Sequence, residues 1–448
     1  MLTRDEVSEH ASKSSCWVII NSNVYDLTSF LDTHPGGSRI ILKYAGKDAT
    51  KAFEPIHSTD ALEKYIAPEL NLGLVPELPV NSSSDAVSND STTPKAKTAK
   101  TPSLSSIINL EDFERAASKS LPPRSFAFFS AGAEDEAAVR WNRDSWKVIR
   151  FRPRVLRPIP SVDISTSILG TKFSAPFFIC PAGGGKLAHL TGEVILTQAA
   201  AKHDVLHWIY AMENLEVTEK EIQQAIFLGY KGFALTVDAI WAGKRERDVR
   251  QALGEDEGAS AEEEEDDEDA SFSNGPTVKR HHVWTNFDWE SAIKWLRGVT
   301  DLPIAIKGIQ AWEDAELCMQ YGVHPWLSNH GGRQLEGAPS AVDTLISMHK
   351  NCPDVFVKCE VIVDGGITRG ADVVKALALG AKGVGLGRPF LYAMSFGDRG
   401  VSKAIRILKH EVETTMALLG VTRIDQLNPS YIDASAFSYD SSAPRSRL

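Results

Sequence analysis

The sequence predicts a two-domain protein: a small α+β domain over residues 1–76, then an α/β barrel of the (β/α)8 type over residues 106–430, one strand–helix unit short. Three observations predict this. A stretch at residues 77–105, rich in Pro, Ser and Thr and nearly free of large apolar side chains, reads as a flexible linker. Beyond it, short apolar runs alternate with helix-like segments, the pattern of βαβ units and a parallel sheet. Nearly every apolar run ends in a polar or glycine-rich group, as in barrels whose active site gathers at the C-terminal strand ends.

The broad class follows from composition. The chain has 448 residues and 43% apolar residues, enough to bury substantial cores. No apolar run reaches the roughly 18 residues needed to cross a bilayer, and the start MLTRDEVSEH is too charged for a signal peptide, so a soluble protein is expected. Lys plus Arg number 48 against 59 Asp plus Glu, a net charge of −11. Residues 255–269 alone hold 11 acidic groups and no basic one, so the rest balances at 48 against 48. No global field therefore argues for a nucleic-acid partner. The five cysteines form no CxxC pair, which speaks against a zinc ribbon or a disulfide framework.

In the N-terminal domain, His34 stands on the turn Asp32-Thr33-His34-Pro35-Gly36-Gly37, and His57 follows 23 positions later in Phe53-Glu54-Pro55-Ile56-His57-Ser58. Two loop imidazoles can fill both axial positions of a haem iron, which leaves none for oxygen and restricts the site to one-electron transfer. A turn histidine with an unrelated surface histidine is the plainer reading of that pair alone. The stretch as a whole, HPGG followed by AGKDATKAFEPIHS, with Trp17, Val24 and Tyr25 in opening strands, resembles cytochrome b5. That resemblance implies haem b held by His34 and His57.

In the second domain the strand candidates are residues 176–183, 207–212, 232–239, 303–308, 325–331, 360–366 and 383–389, seven where a closed barrel needs eight. A GxGxxG turn after the first strand, which an open dinucleotide-binding sheet would more often show, is absent. The segment Leu327-Ser328-Asn329-His330-Gly331-Gly332-Arg333 places an imidazole and a guanidinium at one strand end. Such a pair can take a proton and grip a carboxylate. An ordinary loop with a satisfied histidine is the alternative.

With LTVD (235–238), KRERD (244–248), PIAIKG (303–308), DGGITRG (364–370) and GLGRP (385–389), the segment resembles the FMN-dependent 2-hydroxy-acid dehydrogenase and oxidase family. Joined to a cytochrome b5-like domain, it is similar to the cytochrome-type L-lactate dehydrogenases. The resemblance implies His330 as general base with Asp238 stabilising its imidazolium, and Arg333 with Arg245 on the substrate carboxylate. Lys307 would stabilise charge on the reduced flavin. Gly365, Gly366, Arg369, Gly387 and Arg388 would hold the FMN phosphate, Asp364 the ribityl chain, Thr236 and Ser328 the ring edge, and Pro181, Ala182 and Gly183 its reactive face. Tyr210 would meet the substrate and contribute to catalysis.

Three departures from the family stand out. Phe128 occupies the place of a substrate-binding tyrosine, and Trp208 replaces a glutamine that contacts the flavin. Between Gly185 and Trp208 there is room for one helix only, where the family has a further strand with its helix. Residues 254–276 read as an acidic, disordered loop, with docking of a basic electron acceptor as the sharper alternative. Residues 431–448 form a tail ending Ser446-Arg447-Leu448, which resembles a peroxisomal address. A peroxisomal or cytoplasmic location is expected ahead of the mitochondrial intermembrane space.

The expected function is oxidation of a small L-2-hydroxy acid, lactate first, by FMN, with electrons passing to haem b and on to an acceptor such as cytochrome c. A homotetramer is implied by resemblance. The alternatives are a haem-only electron carrier with a degenerate barrel, and an oxidase that returns electrons to oxygen.

Overall fold

A computed structural model describes residues 2–31, 34, 38–53, 62, 65–75, 102–209, 215–254 and 287–437. The chain divides into two compact units at residues 101–102. Most of the linker, all but the first residue of the acidic loop, His57, Tyr210 and the end of the tail lie outside the described residues.

The first unit is built on an antiparallel sheet of β1 (Ala11–Ser12), β2 (Ser15–Ile20), β3 (Asn23–Asp26) and β4 (Asn71–Leu74), in that order. Ile20 pairs with Asn23, so Asn21-Ser22 is a two-residue hairpin loop. Both residues have positive φ, 50° and 64°, the twist that lets such a loop join right-handed strands. One face of the sheet packs Cys16, Val18, Ile20 and Tyr25 against Leu31, Ile41, Ala45 and Ile66. His34 follows this core, its amide donating to the Phe30 carbonyl at 2.9 Å and its ring lying edge-on to Phe30 at 5.7 Å.

Among the described residues the second unit holds seven parallel strands: β5 (Phe177–Ile179), β6 (Leu206–His207), β7 (Phe233–Thr236), β8 (Ile304–Ile309), β9 (His324–Leu327), β10 (Ile362–Asp364) and β11 (Gly383–Leu386). Their order around the wall is β7-β8-β9-β10-β11-β5-β6, so the chain returns from β11 to β5 as a closing barrel does. The wall then stops between β6 and β7.

In sequence the missing unit precedes Trp208, and the stretch from Gly185 to His207 does hold a single α-helix, Val194–Lys202. In space Phe178 and Ile179 pair directly with Leu206 and His207. The opening is on the far side of β6, where an eighth strand would have paired with β7. Burial marks it: every residue of β5, β10 and β11 is buried, whereas every residue of β6 and β7 is half-exposed.

Side chains alternate across the wall. Outward residues such as Phe177, Ile304, Ile306, Leu327, Val363 and Leu386 join the core beneath the helices. Inward residues Phe178, Cys180, Ala305, Trp326 and Ile362 fill the barrel with Ile168 and Leu169 of the hairpin Thr166–Ile168/Thr171–Phe173. The interior leaves no spare volume at Gly385, where an added Cβ would lie 2.5 Å from Cys180 Sγ. Among the described residues no helix is long and apolar enough to cross a membrane.

Candidate active site at the strand ends

The polar groups that end the strands meet at one mouth of the barrel. Lys307 is the fourth residue of β8 and points inward, buried, with its Nζ donating to Ser328 Oγ at 3.1 Å. Its ammonium lies 3.7 Å from Asp238 Oδ2 and 3.9 Å from Asp364 Oδ2. Burial pulls its pKa down, but the two carboxylates outweigh this and hold it above the ordinary lysine value. A fixed positive charge therefore sits at the mouth.

Asp238 follows β7 by two residues and its carboxylate is fully enclosed. Burial pushes its pKa up, yet Lys307 and His330 more than compensate, so it stays an anion. Its Oδ1 receives His330 Nδ1 at 2.9 Å. That bond assigns the proton of a neutral imidazole to Nδ1 and leaves the Nε2 lone pair free to act as a base. Burial and Lys307 lower the His330 pKa, with Asp238 partly opposing them, so the ring is neutral near pH 7.

His330 itself has φ 56°, and Gly331 and Gly332 follow at 69° and 76°, a left-handed run that turns the chain back at the end of β9. Gly332 is needed there twice over, because a Cβ would also meet the Val139 amide nitrogen at 2.6 Å. The loop is fastened by a reciprocal amide pair. Asn329 Nδ2 donates to Asn142 Oδ1 at 2.9 Å, and Asn142 Nδ2 donates to Asn329 Oδ1 at 2.8 Å.

Arg333 donates to the carbonyls of Phe129 and Ala131 at 2.9 and 3.0 Å. Two guanidiniums approach the Phe128 ring, Arg333 at 5.5 Å and Arg245 at 5.9 Å. Each such contact is worth about 0.5–2 kcal/mol, which offsets part of the hydroxyl this position lacks. Arg388 donates to the Gly331 carbonyl at 2.8 Å. Burial, Arg245 and Arg388 together pull Arg333 down to about 9. Arg245 and Arg388 thus stand close enough to Arg333 to disfavour its charge, a repulsion that an anionic ligand would relieve.

Two residues assigned to FMN from the sequence have partners within the protein. Arg369 precedes helix Gly370–Ala378 and pairs with Glu411 at 3.3 Å and Glu111 at 3.4 Å. Asp364 accepts from Ser328 Oγ at 2.7 Å and from Trp326 Nε1 at 2.9 Å. Thr236, Ser328, Pro181 and Ala182 stand at the mouth ends of β7, β9 and β5, as do Gly183 and, beyond β10 and β11, Gly365, Gly366 and Gly387.

One orphaned donor suits the polar edge of a flavin ring: Trp208 Nε1 is buried and makes no hydrogen bond among the described residues, although Trp208 packs at 5.2 Å on Trp326. Asp238 Oδ2 makes no hydrogen bond there either and lies 3.7 Å from the Lys307 ammonium. Sequence reasoning missed Asn142, Asn329 and Trp326. Asn142 left one signal: it lies on the buried stripe of helix Ala137–Val148 with Ala138, Val139, Ser145 and Trp146.

Comparison with known proteins agrees with this geometry. The model of the FMN-dependent dehydrogenase family matches residues 117–213 and 206–434, and that of the cytochrome b5-like heme/steroid binding domain matches residues 3–75. The two barrel matches overlap at 206–213, the run that carries β6 and precedes the opening. The chain is 40% identical to an L-lactate dehydrogenase (cytochrome) of Wickerhamomyces anomalus, covering 96% of this chain and 80% of that one. A Saccharomyces cerevisiae protein of the same description is 38% identical over 96% and 79%. A peroxisomal (S)-2-hydroxyacid oxidase of Arabidopsis thaliana is 35% identical over 73% and 97%. Among solved structures, the flavin-binding domain of baker's yeast flavocytochrome b2 superposes with a TM-score of 0.66 at 34% identity, covering 78% of this chain and 92% of that one. A mutant flavocytochrome b2 with pyruvate bound gives 0.66 at 35% identity, over 77% and 91%.

Proposed function

The chain belongs to the FMN-dependent dehydrogenase family and carries a cytochrome b5-like domain before its barrel, and on that premise we propose that it oxidises a small L-2-hydroxy acid, L-lactate first, to the 2-oxo acid. The observation that carries the reading is the pair His330–Asp238 at 2.9 Å, set beside the buried Lys307 and the crowded Arg333.

Arg333 and Arg245 hold the substrate carboxylate, and the carbonyls of Phe129 and Ala131 fix the Arg333 guanidinium. Oxidation of the carbinol carbon releases two electrons and two protons. His330 Nε2 takes one proton, and the Asp238 carboxylate stabilises the imidazolium that forms. FMN, when bound, would supply the acceptor for the electron pair and the other proton. Lys307 would place positive charge near the ring, and Arg388 with the backbone of Gly365, Gly366 and Gly387 would hold the phosphate. Trp208 Nε1 and Thr236 contribute polar contacts at the ring edge. His34 and His57 would hold the haem, which would supply one-electron transfer towards an external acceptor such as cytochrome c. The tetrameric assembly implied by resemblance belongs to the same reading.

The test is anaerobic addition of L-lactate to the full chain carrying FMN and haem. Reduction of the haem band supports the proposal. Haem with no flavin would favour a haem-only carrier, and peroxide release in air without haem reduction would favour an oxidase.

A further inference from the structure

Trp326 is the largest side chain in the barrel interior, fully buried at the third position of β9. An aliphatic side chain could fill that volume, but this residue makes two contacts no aliphatic side chain would. Its Nε1 donates to Asp364 Oδ2 at 2.9 Å, and its ring lies 5.8 Å from Lys307 Nζ. The remaining Asp364 oxygen receives Ser328 Oγ at 2.7 Å, and Ser328 Oγ in turn receives Lys307 Nζ at 3.1 Å. Lys307 stands between Asp238 and Asp364, 3.7 and 3.9 Å away, so its position depends on how strongly each carboxylate draws it.

The same indole faces the incomplete side of the wall. It packs edge-on to Phe178 at 5.1 Å and against Trp208 at 5.2 Å, and Trp208 directly follows β6, the strand bordering the opening. Its facing positions are small, with Ala305 and Ala234 in the same cluster. One side chain therefore packs the interior beside the gap and joins it to the charged groups at the mouth.

We propose that Trp326 is a positioning residue: by holding Asp364 it fixes the Lys307 ammonium at the mouth and so sets how readily the bound flavin accepts electrons. This rests on the FMN reading above. Without the indole donor the Asp364 carboxylate keeps more of its charge and draws Lys307 down into the barrel. Less positive charge then faces the reduced ring, whose formation becomes less favourable.

The experiment compares full-length wild type with Trp326→Phe, which keeps a ring and loses the N–H, and Trp326→Leu, which loses both. Flavin midpoint potential is read by dye equilibration. Lys307 is read separately on FMN-free protein, by labelling with fluorodinitrobenzene across a pH series and peptide mass analysis. In Trp326→Phe the potential becomes more negative and the labelling midpoint rises, while thermal unfolding stays near wild type. Trp326→Leu shows the same two shifts with a clear loss of thermal stability. If either the potential or the labelling midpoint of Trp326→Phe matches wild type, Trp326 is a packing residue and the proposal is overturned. Should wild type take up no FMN, the functional reading fails, and the labelling midpoint alone decides whether Trp326 positions Lys307.

Discussion

The barrel has two unlike sides. From β8 through β11 to β5 each strand has a neighbour on both edges, and nearly every residue is buried. Among the described residues β6 and β7 are each paired on one edge only, and all six of their residues are half-exposed. Exposed apolar side chains follow them: Ile209 after β6, and Val237, Ile240 and Trp241 after β7. Lys307, Ser328, His330, Arg333, Asp364 and Arg388 are all mounted on or just beyond the closed side. Asp238, the partner of His330, comes from the open one. The comparison teaches that losing a strand removes a stretch of wall without dispersing the site, because the reacting groups stand on strands that kept their pairing.

The largest effect should come from the closed side. Replacing His330 with Gln removes the base and should lower kcat by about 10³- to 10⁴-fold while leaving FMN uptake intact. Steady-state turnover with flavin titration checks this, and retained turnover would remove His330 from the mechanism.

Asp238→Asn breaks the one contribution of the open side. A loss of about 100-fold in kcat is expected. The sign of the pH effect is set by the groups around His330: burial and Lys307 lower its pKa, and Asp238 raises it. Removing that carboxylate should move the acid limb of kcat/KM to lower pH. A limb that stays in place would mean Asp238 does not face the titrating ring.

Stability should show the open side differently. Burial pushes His207, on β6, from its ordinary value of 6.5 down to about 4. The folded chain then refuses a proton that the unfolded chain accepts, so stability falls as pH drops from about 6.5 towards about 4. The limit is roughly 3 kcal/mol for this group. Urea midpoints at pH 7 and pH 5 should differ less in His207→Asn than in wild type. An equal difference in both would assign the slope to other groups.

The smallest effect is local. Amides of β6 and β7 should exchange hydrogen faster than those of β9 and β10 under native conditions, measured by mass spectrometry. Equal protection would mean the opening is covered.

Much of this was legible in the sequence because its signals are local. Seven apolar runs with polar ends gave the seven strands, and LTVD, PIAIKG and LSNHGGR put Asp238, Lys307 and His330 at strand ends that the fold then gathers. What stayed hidden depends on long-range pairing. Leu206-His207 could have bordered either side of the missing unit, and only its hydrogen bonding to β5 decides. Arg369 reads as a phosphate ligand, and its pairing with Glu111 and Glu411, distant in sequence, is visible only in the fold. Trp326 reads as ordinary core, since nothing local shows that its indole nitrogen meets Asp364. Phe128 reads as a loss, although in the fold its ring meets the guanidiniums of both Arg245 and Arg333.

The central claim is that seven strands suffice for a working flavin site. Titrating the purified full-length chain with FMN and following flavin fluorescence, then adding L-lactate without oxygen, tests it most directly. One FMN per chain, quenched on binding and bleached by the substrate, is the predicted result; a chain that leaves FMN free in solution, or binds it and shows no bleaching, would contradict it.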